Sequence, residues 1–189
     1  MQPLDALARA NSGYERRLLA VDCARWGQPS VCEGWSIRDV VDHVLGGNRF
    51  AVGLLAGQSA DEALAYALEL GFDGDPVTLH RESATAQHDA FAATGALERL
   101  VHHPAGEIDG QHFLSFRLGD LVLHGWDLAR STGGDDDLDQ KLLPAVWDAY
   151  QPMLGAADEH GAFRAGPSGS VAADAPLALR LLDLTGRRP

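Results

Sequence analysis

The chain has 189 residues, 46% of them apolar, and a formal charge of −12 at pH 7. Length and composition suit one globular domain, spanning 1–189, with a core that needs no staples. An acidic surface without a basic stripe repels phosphate backbones, which argues against a nucleic-acid or anionic-membrane partner.

Apolar residues recur at helical spacing along most of the chain. Leu4, Leu7, Ala8, Tyr14, Leu18 and Val21 share one helical face. A loop, RWGQPSVCEG, follows, with Gly27, Pro29 and Gly34 as breakers. Ser36 and Asp39 then form a variant capping box, which predicts a helix over 37–55. A short helical piece is expected in ADEALAYALELG. Asp75 as N-cap, Pro76 at the first position and Gly95 beyond the end mark a third long helix. Leu100 and Val101 suit a short extended segment, with turns at 104–106 and 109–110. A fourth long helix is expected over 111–132, stopped by Gly133 and Gly134. A fifth spans 139–154, and PLALRLLDLTGRRP closes the chain as a short helix ended by Gly186. RAGPSGSVAADAP reads as a surface connection. No internal repeat appears, and long amphipathic helices with little strand signal predict an all-α bundle.

Chemistry concentrates in RLGDLVLHGWDLARSTGG, residues 117–134. Asp120 and His124 stand four apart, so both leave one face of a helix. Such a pair faces water, bonds internally or holds a metal ion. On the 37–55 helix, His43 lies among Val40, Val44 and Phe50, with the doublet Gly46–Gly47 one turn on. Alone, His43 reads as an interior histidine held by a hydrogen bond. The doublet costs helix stability, and its missing side chains leave room for a neighbouring helix or a ligand. Two histidines and a carboxylate from facing helices suit a divalent transition metal such as Zn, Ni or Fe. Three protein ligands leave a position open for water or substrate.

Three stretches together resemble the DinB-like helical-bundle superfamily, in its actinobacterial branch related to the N-terminal metal-binding domain of mycothiol-dependent maleylpyruvate isomerase. They are VCEGWSIRDVVDHVLGGNRF, LGDLVLHGWDLARSTG and, more weakly, LALRLLDLTGRRP. The resemblance implies a four-helix bundle with a short additional C-terminal helix, and a metal site of His43, Asp120 and His124. It also implies a low-molecular-weight thiol such as mycothiol as cosubstrate. The isomerase carries glutamate at the acidic position, where this chain has the shorter Asp120. It also has a further C-terminal domain that contributes to catalysis, for which this chain leaves too little sequence, so isomerase activity itself is not expected to carry over.

Other residues have packing and functional readings side by side. Trp35 and Trp126 read as packing residues or as a pocket wall, with Trp35 as a candidate cofactor contact. Asn48 reads as a helix–helix hydrogen bond or as a second cofactor contact. Asp127 either accepts a proton from an imidazole or pairs with Arg130. Cys32, before a helix, reads as a partly buried thiol, with a nucleophile as the sharper alternative and His43 as its base. His102 and His103 should point to opposite faces, with solvation the usual fate of such a doublet. His80, His88, His112 and His160 belong to no constellation. No GxSxG elbow, P-loop or dinucleotide fingerprint appears, and Asp135–Asp137 lacks the spacing of a calcium loop.

With two cysteines, Cys23 and Cys32, and neither a leader pattern nor an apolar run of ~18–20 residues, a reducing cytoplasm is the expected compartment. Two functions compete. One is a metal-dependent transferase that activates a thiol, mycothiol or similar, for S-transfer to a small electrophile in detoxification. The other is a metal- or small-molecule-binding module without turnover. A homodimer is left open as the assembly.

Overall fold

A computed structural model describes residues 1–104, 106–152 and 166–188. Among these are seven helices and one two-stranded hairpin. In chain order they are α1 (Pro3–Leu19), α2 (Ile37–Leu55), α3 (Ala60–Glu69), α4 (Pro76–Ala92), β1 (Leu100–His103), β2 (Gly106–Asp109), α5 (Gly110–Thr132), α6 (Leu143–Tyr150) and α7 (Leu177–Leu184). A 3-10 turn, Cys23–Arg25, follows α1.

Local chemistry sets most of these boundaries. Ser36 and Asp39 close a reciprocal capping box at the start of α2, and Ser59 and Glu62 do the same for α3. Asp75 accepts from the Thr78 amide to start α4. Asp109 accepts from the His112 amide at 2.7 Å to start α5. Gly133, at φ 71°, ends α5 in the left-handed conformation that glycine adopts without strain.

The chain divides into two compact units, Met1–Asp137 and Leu138–Pro189. In the first, α1 packs on α4 and α5, while α2 packs on α3, α4 and α5. These four long helices form the bundle, and its core runs through Leu7, Leu18, Leu45, Leu54, Leu114, Leu118 and Leu121, all buried. Each such leucine is worth about 1.5–3 kcal/mol of burial. Gly53 lets α3 close on α2, because a Cβ there would lie 2.8 Å from the Ala63 Cβ. In the second unit α6 packs on α7, and the Arg180 guanidinium lies 4.4 Å from the centre of the Trp147 ring.

The expected 37–55 helix has those limits. The short extended segment expected at Leu100 and Val101 is one strand of a hairpin, with Val101 opposite Ile108. Other boundaries moved. The expected turn at 109–110 is instead the cap and first residue of α5. The fifth helix begins at Leu143, next to Pro144, and not at 139. Its expected end at 154 lies outside the described residues, as do His160 and the first two residues of RAGPSGSVAADAP.

Candidate metal centre

α5 carries a polar stripe along an otherwise apolar helix. Arg117, Asp120, His124 and Asp127 follow at spacings of three, four and three, so all four lie on one face. α2 brings His43 and Gly47, also four apart, against that face. The sequence could show each stripe separately; the packing of α2 on α5 brings them together.

One ring nitrogen each of His43 and His124 and a carboxylate oxygen of Asp120 lie within 4.8 Å of one another. His43 Nε2 is 4.0 Å from Asp120 Oδ2. Two ligands each ~2.1 Å from one ion stand no more than ~4.2 Å apart, so this closest approach suits a shared divalent cation. The His43 and His124 rings meet edge-on, with centroids 4.7 Å apart. His43 is 41% exposed and Asp120 30%, so the group opens to solvent on one side. His43 is thus no interior histidine.

The surroundings orient the group. Asp127, buried to 1%, lies 2.9 Å from His124 Nδ1. A carboxylate there takes the Nδ1 proton as its hydrogen bond and leaves Nε2 with a free lone pair, the arrangement common behind metal-ligating histidines. Arg130 pairs with Asp136 at 3.0 Å, so of the two readings of Asp127 the imidazole contact is the one formed. Trp35 covers both imidazoles, with centroids 5.1 Å from His43 and 6.0 Å from His124. Trp126 is buried in the core, with Arg130 over its ring.

Asn48 is fully buried. Its amide donates to Ser83 Oγ at 3.1 Å, and its carbonyl accepts from Arg117 at 2.9 Å. It therefore forms a helix–helix hydrogen bond and reaches the centre through Arg117. Arg117 is itself buried and bonds Asp120. The Gly doublet divides its work: Gly46 faces Phe72, and Gly47 faces the Arg117 guanidinium.

Cys32 forms a second group with His124 and Asp127, again within 4.8 Å. The sequence suggests His43 as its neighbouring base; the fold supplies His124. Ser30 accepts from the Cys32 amide, and Ser131 accepts from that of Val31, tying this loop to α5. The His102–His103 doublet splits as strand alternation requires. His102 is exposed near Glu107. His103 turns onto Phe113 and Phe116, and burial pushes its pKa down. His80, placed in no constellation, is buried against Tyr14.

Residues 7–129 match the family described as the mycothiol maleylpyruvate isomerase N-terminal domain. Two uncharacterised proteins of Mycobacterium tuberculosis, from strains H37Rv and CDC 1551, are 34% identical over 159 residues, covering 82% of this chain and 81% of theirs. Among solved structures, the mycothiol-dependent maleylpyruvate isomerase aligns with a TM-score of 0.57 at 23% identity. That alignment covers 76% of this chain but 65% of the isomerase, less than two thirds of its length. A histidine-to-alanine mutant of the isomerase aligns equally well, at 22% identity. At such identity the structural likeness speaks for the fold alone.

Proposed function

Since the chain belongs to the mycothiol maleylpyruvate isomerase N-terminal domain family, we propose that His43, Asp120 and His124 hold a divalent transition metal, zinc foremost, and that the loaded site activates a low-molecular-weight thiol such as mycothiol. The observation that carries this reading is the convergence of the three donor side chains beside an imidazole-orienting buried carboxylate. When bound, such an ion supplies a Lewis acid that favours the thiolate form of a thiol at its open position.

The chain's own residues do the remaining work. His43 and His124 offer imidazole nitrogens, which suit zinc, and Asp120 an oxygen, which limits the charge of the site to −1 from its ligands. Asp127 keeps His124 in the tautomer with Nε2 free. Trp35 forms an apolar wall beside both imidazoles. The thiolate sulfur bonds to an electrophilic carbon, the leaving group departs with its electron pair, and the thiol proton passes to solvent. No protein nucleophile is required.

No helix of the described residues is long and apolar enough to cross a membrane. The partners in this reading are a small-molecule thiol and an electrophile, in a reducing cytoplasm. The test loads purified protein with zinc, measures the metal by elemental analysis, and follows consumption of a thiol with a chlorodinitrobenzene. Stoichiometric zinc with turnover supports the transferase. Stoichiometric zinc without turnover, across a panel of electrophiles, leaves a binding module. No zinc removes the basis of the reading.

A further inference from the structure

Arg117 presents a cation to the same carboxylate that the metal reading requires as a ligand. Its side chain is buried, although it lies one turn before the half-exposed Asp120. The guanidinium spans α5 and α2: Nη1 donates to Asp120 Oδ2, and Nη2 donates to Asn48 Oδ1 at 2.9 Å, with the Val44 carbonyl at 3.4 Å. Asn48 is fixed in turn by Ser83 of α4. The seat itself is cut by glycine. A Cβ on Gly47 would lie 2.6 Å from the guanidinium carbon, well inside contact distance.

Burying a guanidinium is costly, and its partners must compensate. Yet two helices meet at it, a third holds its partner Asn48, and the helix opposite gives up a side chain to admit it. The oxygen it bonds, Oδ2, is the one 4.0 Å from His43 Nε2. Two effects of Arg117 on a metal then oppose one another. Its charge repels a dication. Its rigid fork, one prong on Asp120 and the other on Asn48, also restricts the rotamer of a short, partly exposed aspartate. The ion pair nearly cancels the charge at a distance, whereas without Arg117 the carboxylate loses the hydrogen bond that directs Oδ2.

We propose that Arg117, seated on Gly47 and held by Asn48, is a positioning residue that aims Asp120 at the metal. This rests on the metal reading above and adds a residue outside the ligand set. The helix packing explains why Asn48 lies near the centre without touching a ligand there.

The test uses Co2+ as the probe, because its visible absorption reports coordination geometry. Affinity is read by competition with a chromophoric chelator on the full chain. Arg117→Met, of similar length but without charge or fork, should bind Co2+ about 10–100-fold more weakly, as for other partners of ligating residues. Its absorption bands should also shift. Gly47→Ala keeps the guanidinium but pushes it off its seat, and should move affinity and spectrum in the same direction. Circular dichroism checks the fold of each.

If Arg117→Met binds Co2+ equally well or more tightly, repulsion outweighs orientation and the proposal is overturned. If Arg117→Met does not fold, Gly47→Ala carries the test, and an unchanged spectrum there overturns it. Failure of both to fold makes Arg117 a structural residue and also overturns it. A wild-type chain that takes up no Co2+ sinks the metal reading itself, an outcome distinct from the others.

Discussion

At the scale of single residues, the candidate centre separates donors from the groups that hold them. His124 stands 13% exposed between an open side and the buried Asp127. Removing the donor and removing its support should therefore differ in kind. His124→Ala deletes a ligand, and metal retention after dialysis should be lost. The bundle has its own apolar core, so the variant should stay folded, with a stability change inside the usual ~0.5–3 kcal/mol of a single substitution. An unfolded His124→Ala protein at room temperature would make the site structural, as in zinc fingers. Asp127→Asn keeps the shape but can donate to Nδ1, which favours the tautomer with Nε2 protonated. Metal affinity should fall about 10–100-fold, measured by chelator competition. An unchanged affinity would mean that His124 is oriented by the helix alone.

At the scale of elements, the site depends on where α5 starts. Its first residue, Gly110, runs under the loop after α4: a Cβ there would lie 3.0 Å from the Ala96 carbonyl carbon and 3.1 Å from the Leu97 Cα. Both are backbone and cannot swing aside. Gly110→Ala should cost about 1–3 kcal/mol, as overpacking does, seen in the midpoint of denaturant unfolding. Ala in place of the Ser36 cap of α2 should cost only ~1 kcal/mol, since one hydrogen-bonded amide is lost at an exposed end. This contrast shows what the sequence could convey. The start of α2 was legible because Ser36 and Asp39 act on their own helix. The sequence places the start of α5 within one residue but reads Asp109–Gly110 as a turn; Asp109 is the cap, and the close approach of Gly110 to Ala96, fourteen residues earlier, has no local signal.

At the scale of the whole molecule, the same division holds. The bundle is legible from caps, breakers and periodicity, and the candidate donors His43, Asp120 and His124, which the fold brings together, from spacing and family likeness. Arg117 and the approach of Cys32 to His124 are not, because each depends on which helix or loop faces α5. Stability against pH also tests the molecule as a whole. With a charge of −12 at pH 7, acidification toward the pI of 4.9 relieves self-repulsion and should stabilise the fold. His80 opposes this. It is buried on α4, 4.9 Å from Tyr14 of α1, with Asn11, Glu15 and Arg81 around it. Burial pushes its pKa below the ordinary 6.5, outweighing the upward pull of Asn11 and Glu15. Between its folded pKa and 6.5 the unfolded chain binds more protons, so stability rises with pH there. His80 thus contributes fully above 6.5, and its contribution is lost as pH falls through the lowered value. His80→Phe keeps an aromatic ring on Tyr14 and removes the proton site. Chelator-treated wild type should lose melting temperature relative to His80→Phe as pH falls below 6.5, while above 6.5 the gap between them should stay constant. His103, lowered in the same sense by burial, remains in both proteins and cancels in the difference. A gap that stays constant across the whole range would show that His80 titrates alike in both states, its protonated form finding a partner within the bundle.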